Sequence, residues 1–269
     1  MLMIMLGSLM AKASEQPVVV FVHGMFMTGE SWGPWEEDFR RRGYDTVAPS
    51  WPGRDRPPAE LMRDPDPVLR ELTLPDVVES YREELRALEG RRVVLVGHSM
   101  GGLVVQLLLQ EGLAEAGVAI DPAPPHGISS NKWSFLRSNL PVLAPTRAPI
   151  VPSLRWFRYA FAHTMPDEEV QHVYETWVVP ESRRVGKGPT TKDAAVDFER
   201  QRPPLLLIAG EEDHIIPASL VRKVANRYAK GPSVTELRAF PGRTHWIVGQ
   251  EGWEEVADEV AGWLEQQLR

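Results

Sequence analysis

The residue whose surroundings most clearly suit chemistry is Ser99, in the stretch Gly97-His98-Ser99-Met100-Gly101-Gly102. The apolar run Val94-Leu95-Val96 precedes it, and a second apolar run, Leu103 to Leu109, follows. This is G-x-S-x-G between a strand and a helix, a setting that puts the serine on a sharp, strained turn with its hydroxyl exposed at the C-terminal edge of a sheet. Gly97 and Gly101 leave room where side chains would collide as strand and helix close on that turn. The plain alternative is a tight strand-to-helix turn with an incidental serine. A serine hydroxyl is a weak nucleophile near neutral pH, so acyl chemistry at Ser99 requires a general base and an acid that orients it.

Seven histidines are available as bases. His23 follows the first apolar run, His98 adjoins Ser99, His126, His163 and His172 lie mid-chain, and His214 follows a carboxylate. His245, in Pro241-Gly242-Arg243-Thr244-His245-Trp246, lies in a loop after the last apolar run and completes the order Ser…Asp…His. For the acid, Asp213 in Gly210-Glu211-Glu212-Asp213 lies between serine and histidine in that order. Asp121 is its main competitor, with Glu211 and Glu212 close behind. Donors for a developing oxyanion are expected from the backbone N–H groups of Met100 and Met25, whose side chains contribute nothing chemically.

These residues require a frame that brings strand ends together. The continuous β-branched run Pro17–Val22 predicts a buried strand, and further strands are expected at Tyr44–Ala48, Arg92–Val96, Val118–Ile120, Leu205–Ala209 and Val234–Phe240. Between and after them, apolar spacing predicts helices over Glu30–Arg41, Pro75–Leu88, Leu103–Gln110, Ala218–Tyr228 and Trp253–Gln267. Strands alternating with helices imply a mostly parallel sheet of about six strands flanked by helices. Arg54 to Thr73 reads as a long loop or short helical excursion. Residues 122–202 break the alternation and carry many aromatic and proline residues. A structureless loop of that length is unexpected in a compact domain, so the stretch reads as a helical cap inserted after the fourth strand. The core is then 15–121 and 203–269, with 1–14 an apolar, peripheral leader. The expected pocket draws on His23, Gly24 and Phe26 near the first strand, Trp133, Phe135, Trp156 and Phe161 in the cap, and Trp246 beside His245.

Composition narrows the partners. The 269 residues are 43% hydrophobic and 25% charged, ordinary for a globular protein able to bury a full core. A net charge of −7 speaks against nucleic acid as the main partner. Cysteine is absent, which excludes disulfides, thiolate metal sites and a cysteine nucleophile. No paired-histidine metal motif is present, and no cofactor is expected. No stretch is long enough to span a bilayer, so stable membrane insertion is not expected. A cytoplasmic location is the favoured reading, with secretion the alternative if Met1–Ala13 is a signal peptide. Oligomeric state is left open.

Taken together, Val22-His23-Gly24-Met25, Gly97-His98-Ser99-Met100-Gly101-Gly102, Ala209-Gly210-Glu211-Glu212-Asp213 with Ile216-Pro217, and Gly242-Arg243-Thr244-His245-Trp246 resemble the α/β-hydrolase fold superfamily, in its capped, esterase- or lipase-like form. The resemblance implies Ser99 as nucleophile, Asp213 as acid, His245 as base, and Met25 and Met100 as oxyanion donors. It also implies a carboxylic ester hydrolase working through an acyl-enzyme on a small-molecule ester-type substrate of small to medium apolar size. Sixteen residues precede the first clear strand, so the two strands that usually lead this fold are expected to be missing. Serine at position 99 argues against the superfamily's epoxide hydrolases and haloalkane dehalogenases, which use an aspartate nucleophile. A serine-based lactonase, amidase or thioesterase shares the same chemistry, as does a cofactor-free haloperoxidase or C–C bond hydrolase. A ligand-binding protein on a hydrolase scaffold is the alternative of another class.

Overall fold

The computed structural model describes residues 17–269; the expected leader, 1–14, lies outside them. Strand β1, Val18–Val22, is buried along its whole length, as its unbroken Val-Val-Val-Phe-Val run requires of a strand covered on both faces. With β2 (Asp45–Val47), β3 (Val93–His98), β4 (Ala116–Ile120), β5 (Leu205–Gly210) and β6 (Thr235–Phe240) it forms one six-stranded sheet in the order β2-β1-β3-β4-β5-β6. Every pairing is parallel. The chain winds outward from β1 to β2, returns to place β3 on the other side of β1, and then winds outward through β4, β5 and β6. The reversal leaves a crevice beyond the C-terminal ends of β1 and β3, where ligands bind in open α/β sheets. Register aligns the strand ends there: Val22 pairs with Gly97, His98 with Ile120, and Gly210 with Phe240.

Helix α1 (Gly33–Arg41) shows how the periodic aromatics serve the frame. Phe21 of β1 stacks on Trp32 at 4.9 Å and meets Phe39 edge-on at 5.5 Å. Trp35 Nε1 reaches across to donate to Val248 O at 2.7 Å, so the core also pins the loop after β6. The expected excursion between β2 and β3 contains a short helix, α2 (Pro58–Arg63), and a 3-10 turn at Pro67–Arg70. Helix α3 (Leu74–Ala87) starts at a capping box in which Thr73 and Asp76 satisfy each other's backbone N–H groups. Helix α4 (Met100–Gln110) follows β3 directly and is buried through Leu109. Three strands extend past their apolar runs, β5 by the single residue Gly210. β3 continues to His98, and β4 begins at Ala116, because Ala116 and Gly117 pair within the sheet without any β-branched signature.

Between β4 and β5 the chain forms α5 (Trp133–Leu143), α6 (Leu154–Phe161), α7 (Asp167–Trp177) and the short α8 (Arg183–Lys187). Phe157, Phe161, Val170, Val173 and Val185 are buried in the same apolar cluster as the sheet. After β5 comes α9 (Ala218–Tyr228), and after β6 α10 (Trp253–Gln267).

A buried ion pair ties the insertion to the segments that follow β1 and β2. Arg54 Nη2 donates to Glu181 Oε2 at 2.5 Å, with the two side chains 1% and 0% exposed. Arg54 Nε donates to Met27 O, while Glu181 accepts from the backbone N–H groups of Phe26 and Ser182. The guanidinium also lies over the Trp51 ring at 4.9 Å. Each charge is thus compensated by its partner and by backbone dipoles. Losing one partner strands a buried charge, at about 3–5 kcal/mol. Glu181→Leu is therefore expected to lower the urea midpoint strongly, and pairing it with Arg54→Met to recover most of the loss. A double variant no better than Glu181→Leu would show that the pair is not the source of the penalty.

Candidate active site

Ser99 is the junction of β3 and α4. It adopts φ 56° and ψ −120°, a left-handed conformation that costs a non-glycine residue of order 1–3 kcal/mol unless its surroundings hold it there. In this turn they do. Ser99 N–H donates to Ile120 O at 2.9 Å, and Ser99 O accepts from Gly102 and Ala123 N–H at 3.0 and 2.9 Å. A Cβ placed on Gly101 would stand 2.1 Å from Val22 O, and one on Gly97 would stand 2.4 Å from Gly101 O. Only glycine lets β1, β3 and α4 close this tightly on the serine.

His245 is brought to Ser99 by a loop held at several points. Trp246 N–H donates to Phe161 O at 2.9 Å, and Thr244 N–H and Oγ1 both donate to Gln250 Oε1 at 3.0 Å. His98 Nε2 donates to the carbonyl oxygen of His245 at 2.8 Å. Burial, helped by the neighbouring His245, holds the His98 pKa well below its usual value, so this imidazole is a neutral brace. The side chain of His245 lies between its partners: Nε2 is 2.9 Å from Ser99 Oγ, and Nδ1 is 2.6 Å from Asp213 Oδ2. Asp213 Oδ1 accepts from the N–H groups of Ile215 and Ile216 at 2.6 and 2.8 Å. The carboxylate is therefore fixed by two backbone donors and free to receive an Nδ1–H. That leaves Nε2 as the acceptor for the serine proton.

Asp121, the competitor in sequence, stands beside this chain. It too has a left-handed backbone, φ 41°, at the end of β4, and it is fully buried. Its Oδ1 accepts from Gly210 N–H at 2.7 Å, while its Oδ2 meets no N–H or O–H donor among the described residues. Burial above all, and then the charge of Asp213, push its pKa well above the usual carboxylate range. Asp121 is thus the carboxyl held toward its neutral form. Atoms of His98, Asp121 and His245 do lie within 4.8 Å of one another, as metal ligands would. Yet His98 is committed to a carbonyl, and both nitrogens of His245 are engaged by Asp213 and Ser99. The donor set does not fit a cation.

Other expected site residues fall in different places. Met25 and Met100 both border a cavity of about 160 Å³ that opens on Ser99. In the described turns and loops neither of their backbone N–H groups is spent on a carbonyl. Phe135 lines the cavity, together with Leu136, Asn139 and Val142 of α5, Gly186 of α8, and Ile215 and Ile216 beside Asp213. The sequence does not single out these aliphatic residues, because aromatic composition is its only guide to the lining.

His23, Gly24, Phe26, Trp133, Trp156, Phe161 and Trp246 are not in the lining. His23 is buried behind it, stacked on Trp51 at 4.5 Å, donating from Nδ1 to Gly24 O and accepting Trp51 N–H at Nε2. Burial and the nearby Arg54 charge keep it neutral. Gly24 abuts Ser99 from behind: a Cβ there would be 2.9 Å from Ser99 Cβ. Phe26, Trp156 and Phe161 pack on one another at 5.0–6.1 Å, and Phe161 meets the His245 ring edge-on at 4.9 Å. They form a wall behind the histidine. Trp246 is buried beneath Gly249, and Trp133 points into solvent, 71% exposed.

Fold and site together define the class. Residues 19–259 match the model of the alpha/beta hydrolase family, and the chain belongs to that family. Solved structures of similar fold include a monoacylglycerol lipase from Paleococcus ferrophilus, 21% identical over 94% of this chain and 96% of that one, with a TM-score of 0.68. Tomato methylketone synthase I, bound to 2-tridecanone, is 15% identical over 94% and 99%, with a TM-score of 0.71. A methylesterase from Arabidopsis is 15% identical over 93% and 99%, with a TM-score of 0.67. These relatives bear different activities in their names, so the shared fold does not select a reaction.

The neutral state of Asp121 has a measurable consequence. The folded protein keeps a proton there that the unfolded chain releases above the ordinary aspartate value of 3.8. Wild-type stability therefore declines as pH rises from that value toward the raised folded one. Asp121→Asn preserves an acceptor for Gly210 without that decline. Its urea midpoint relative to wild type is expected to climb as pH rises above the ordinary aspartate value of 3.8. A constant difference above that value would mean that Asp121 is ionised in the folded protein.

Proposed function

We propose that the protein is a serine hydrolase that cleaves carboxylic esters through an acyl-enzyme. The observation that carries this reading is the continuous hydrogen-bonded chain from Ser99 Oγ through His245 to Asp213, aimed into an apolar cavity. In the proposed reaction Ser99 Oγ attacks the ester carbonyl as His245 Nε2 takes its proton. Asp213 holds the imidazole in the tautomer with Nδ1–H and stabilises the imidazolium that forms. The N–H groups of Met25 and Met100 serve the oxyanion, the second from the N-terminus of α4. Collapse of the tetrahedral intermediate transfers the proton from His245 to the leaving alcohol. Water, deprotonated by His245, then attacks the acyl-enzyme, and a second tetrahedral intermediate releases the acid and restores Ser99.

The cavity supports an apolar acyl group as the buried part of the substrate. At about 160 Å³ it is smaller than the ~300–1,000 Å³ of sites that enclose a drug-sized molecule. Its aliphatic lining offers little to a polar substrate, and Asn139 already donates to Phe135 O at 2.8 Å. The insertion α5–α8 acts in this reading as the cap, supplying one side of the cavity and the wall behind His245.

A fluorophosphonate probe tests the assignment directly. Ser99 is expected to be the labelled residue, with labelling abolished in Ser99→Ala. Asp213→Asn should lower kcat on a p-nitrophenyl ester by about 10⁴-fold while the protein remains folded. Asp121→Asn, which leaves the His245 partner in place, should stay near wild type. Labelling elsewhere than Ser99, or a loss of turnover in Asp121→Asn with Asp213→Asn active, would overturn these roles.

A further inference from the structure

Helix α5 is apolar over more of its surface than burial explains. Phe135, Asn139 and Val142 face the cavity. Trp133, Leu136, Leu140 and Leu143, spaced as one helical stripe, are 71%, 45%, 56% and 62% exposed. Leu136 and Leu143 belong to both sets, lining the cavity and reaching solvent. The apolar surface is therefore continuous from Ser99, across the rim, to the outer face of α5. Val151, 51% exposed, lies in the following segment. Exposed apolar surface of this kind on a monomer marks an interaction site.

Charge identifies the occupant. Residues 122–166 carry Lys132, Arg137, Arg147, Arg155 and Arg158 and no Asp or Glu, in a chain of net charge −7. Arg147 and Arg158 are paired with Glu71 and Asp167. Lys132, Arg137 and Arg155 are exposed, and none has a carboxylate partner among the described residues; Arg137 lies over the Tyr159 ring. An apolar stripe flanked by unneutralised cations is the pattern that lies in the plane of an anionic lipid surface. No helix of the described residues is long and apolar enough to cross a membrane.

We infer that the α5 face docks peripherally on an anionic lipid surface, so that the cavity mouth opens onto it and the substrate is an acyl ester drawn from that surface. The substrate class rests on the ester-hydrolase reading, whereas the docking does not. The small cavity accommodates one end of such a molecule, and the stripe receives the rest.

Sedimentation with vesicles of phosphatidylcholine, with and without phosphatidylglycerol, tests the docking. Performed on Ser99→Ala, it is independent of turnover. Binding is expected to the phosphatidylglycerol vesicles and to weaken with salt. Trp133→Ser/Leu140→Ser should weaken it by about ten-fold or more, and Lys132→Gln/Arg155→Gln should remove its dependence on phosphatidylglycerol. In the wild-type Ser99 background, the apolar double variant should hydrolyse a short, soluble p-nitrophenyl ester normally but lose most of its activity on the same ester group carried on a long chain in vesicles. Absence of vesicle binding, binding unaffected by either double variant, or a concentration-dependent dimer abolished by Trp133→Ser/Leu140→Ser would overturn the docking. Vesicle binding without any Ser99 labelling would overturn the ester reading and leave the docking standing.

Discussion

The close approach of β1, β3 and α4 around Ser99 is the constraint from which the site follows. Val22 O lies where a Cβ on residue 101 would be, and Ser99 is held at φ 56° by carbonyl and N–H partners from β4 and the segment after it. A left-handed serine is unfavourable by itself. It persists because relaxing it would break hydrogen bonds to Ile120, Gly102 and Ala123 and open the packing of three buried elements. The turn directs Oγ out of the sheet edge, into the crevice created where the winding reverses between β1 and β3.

The same edge must also be closed from above. Arg54 and Glu181 do this with backbone as well as charge: Met27 O, Phe26 N–H and Ser182 N–H all converge on the pair. Phe26 sits at φ 68°, a second left-handed residue, one position after Met25. The loop that carries the Met25 N–H is thereby fixed to the insertion. Trp35 and His98 perform the equivalent task for the histidine loop, one through Val248 O and the other through His245 O. Preorganised donors are effective because nothing has to move when charge develops.

How much of this could be read from the chain depends on what each feature requires. The strands were legible from β-branched runs, and the meeting of Ser99, Asp213 and His245 from their order at strand ends, because buried parallel strands and a strained strand-to-helix turn restrict residue types locally. The pocket was much less legible. The break in strand–helix alternation marked the insertion, but aromatic content did not mark its inner face: Phe26, Trp156 and Phe161 are spent on one another and on the back of His245, while aliphatic residues of α5 and Ile215 and Ile216 line the cavity. Which side of a helix faces a cavity is decided by its tertiary neighbours, and α5 has apolar residues on both. The Arg54–Glu181 pair was equally hidden, since partners 127 positions apart carry no local signal.

Asp121 and Asp213 show why chain position alone is a weak guide to an acid. Both follow strands, both are buried, and each accepts backbone N–H groups. Their environments differ in one respect: Asp213 has two N–H donors on one oxygen and His245 on the other, whereas Asp121 has a single donor and an oxygen left over. Two adjacent buried carboxyls cannot both ionise without a cation between them, so the one with fewer donors keeps its proton. A raised Asp121 pKa spares the carboxyl that touches His245 a second negative charge beside it. Asp121 is thereby the carboxyl held toward its neutral form and Asp213 the one that meets His245, a division that strand-end position could not reveal.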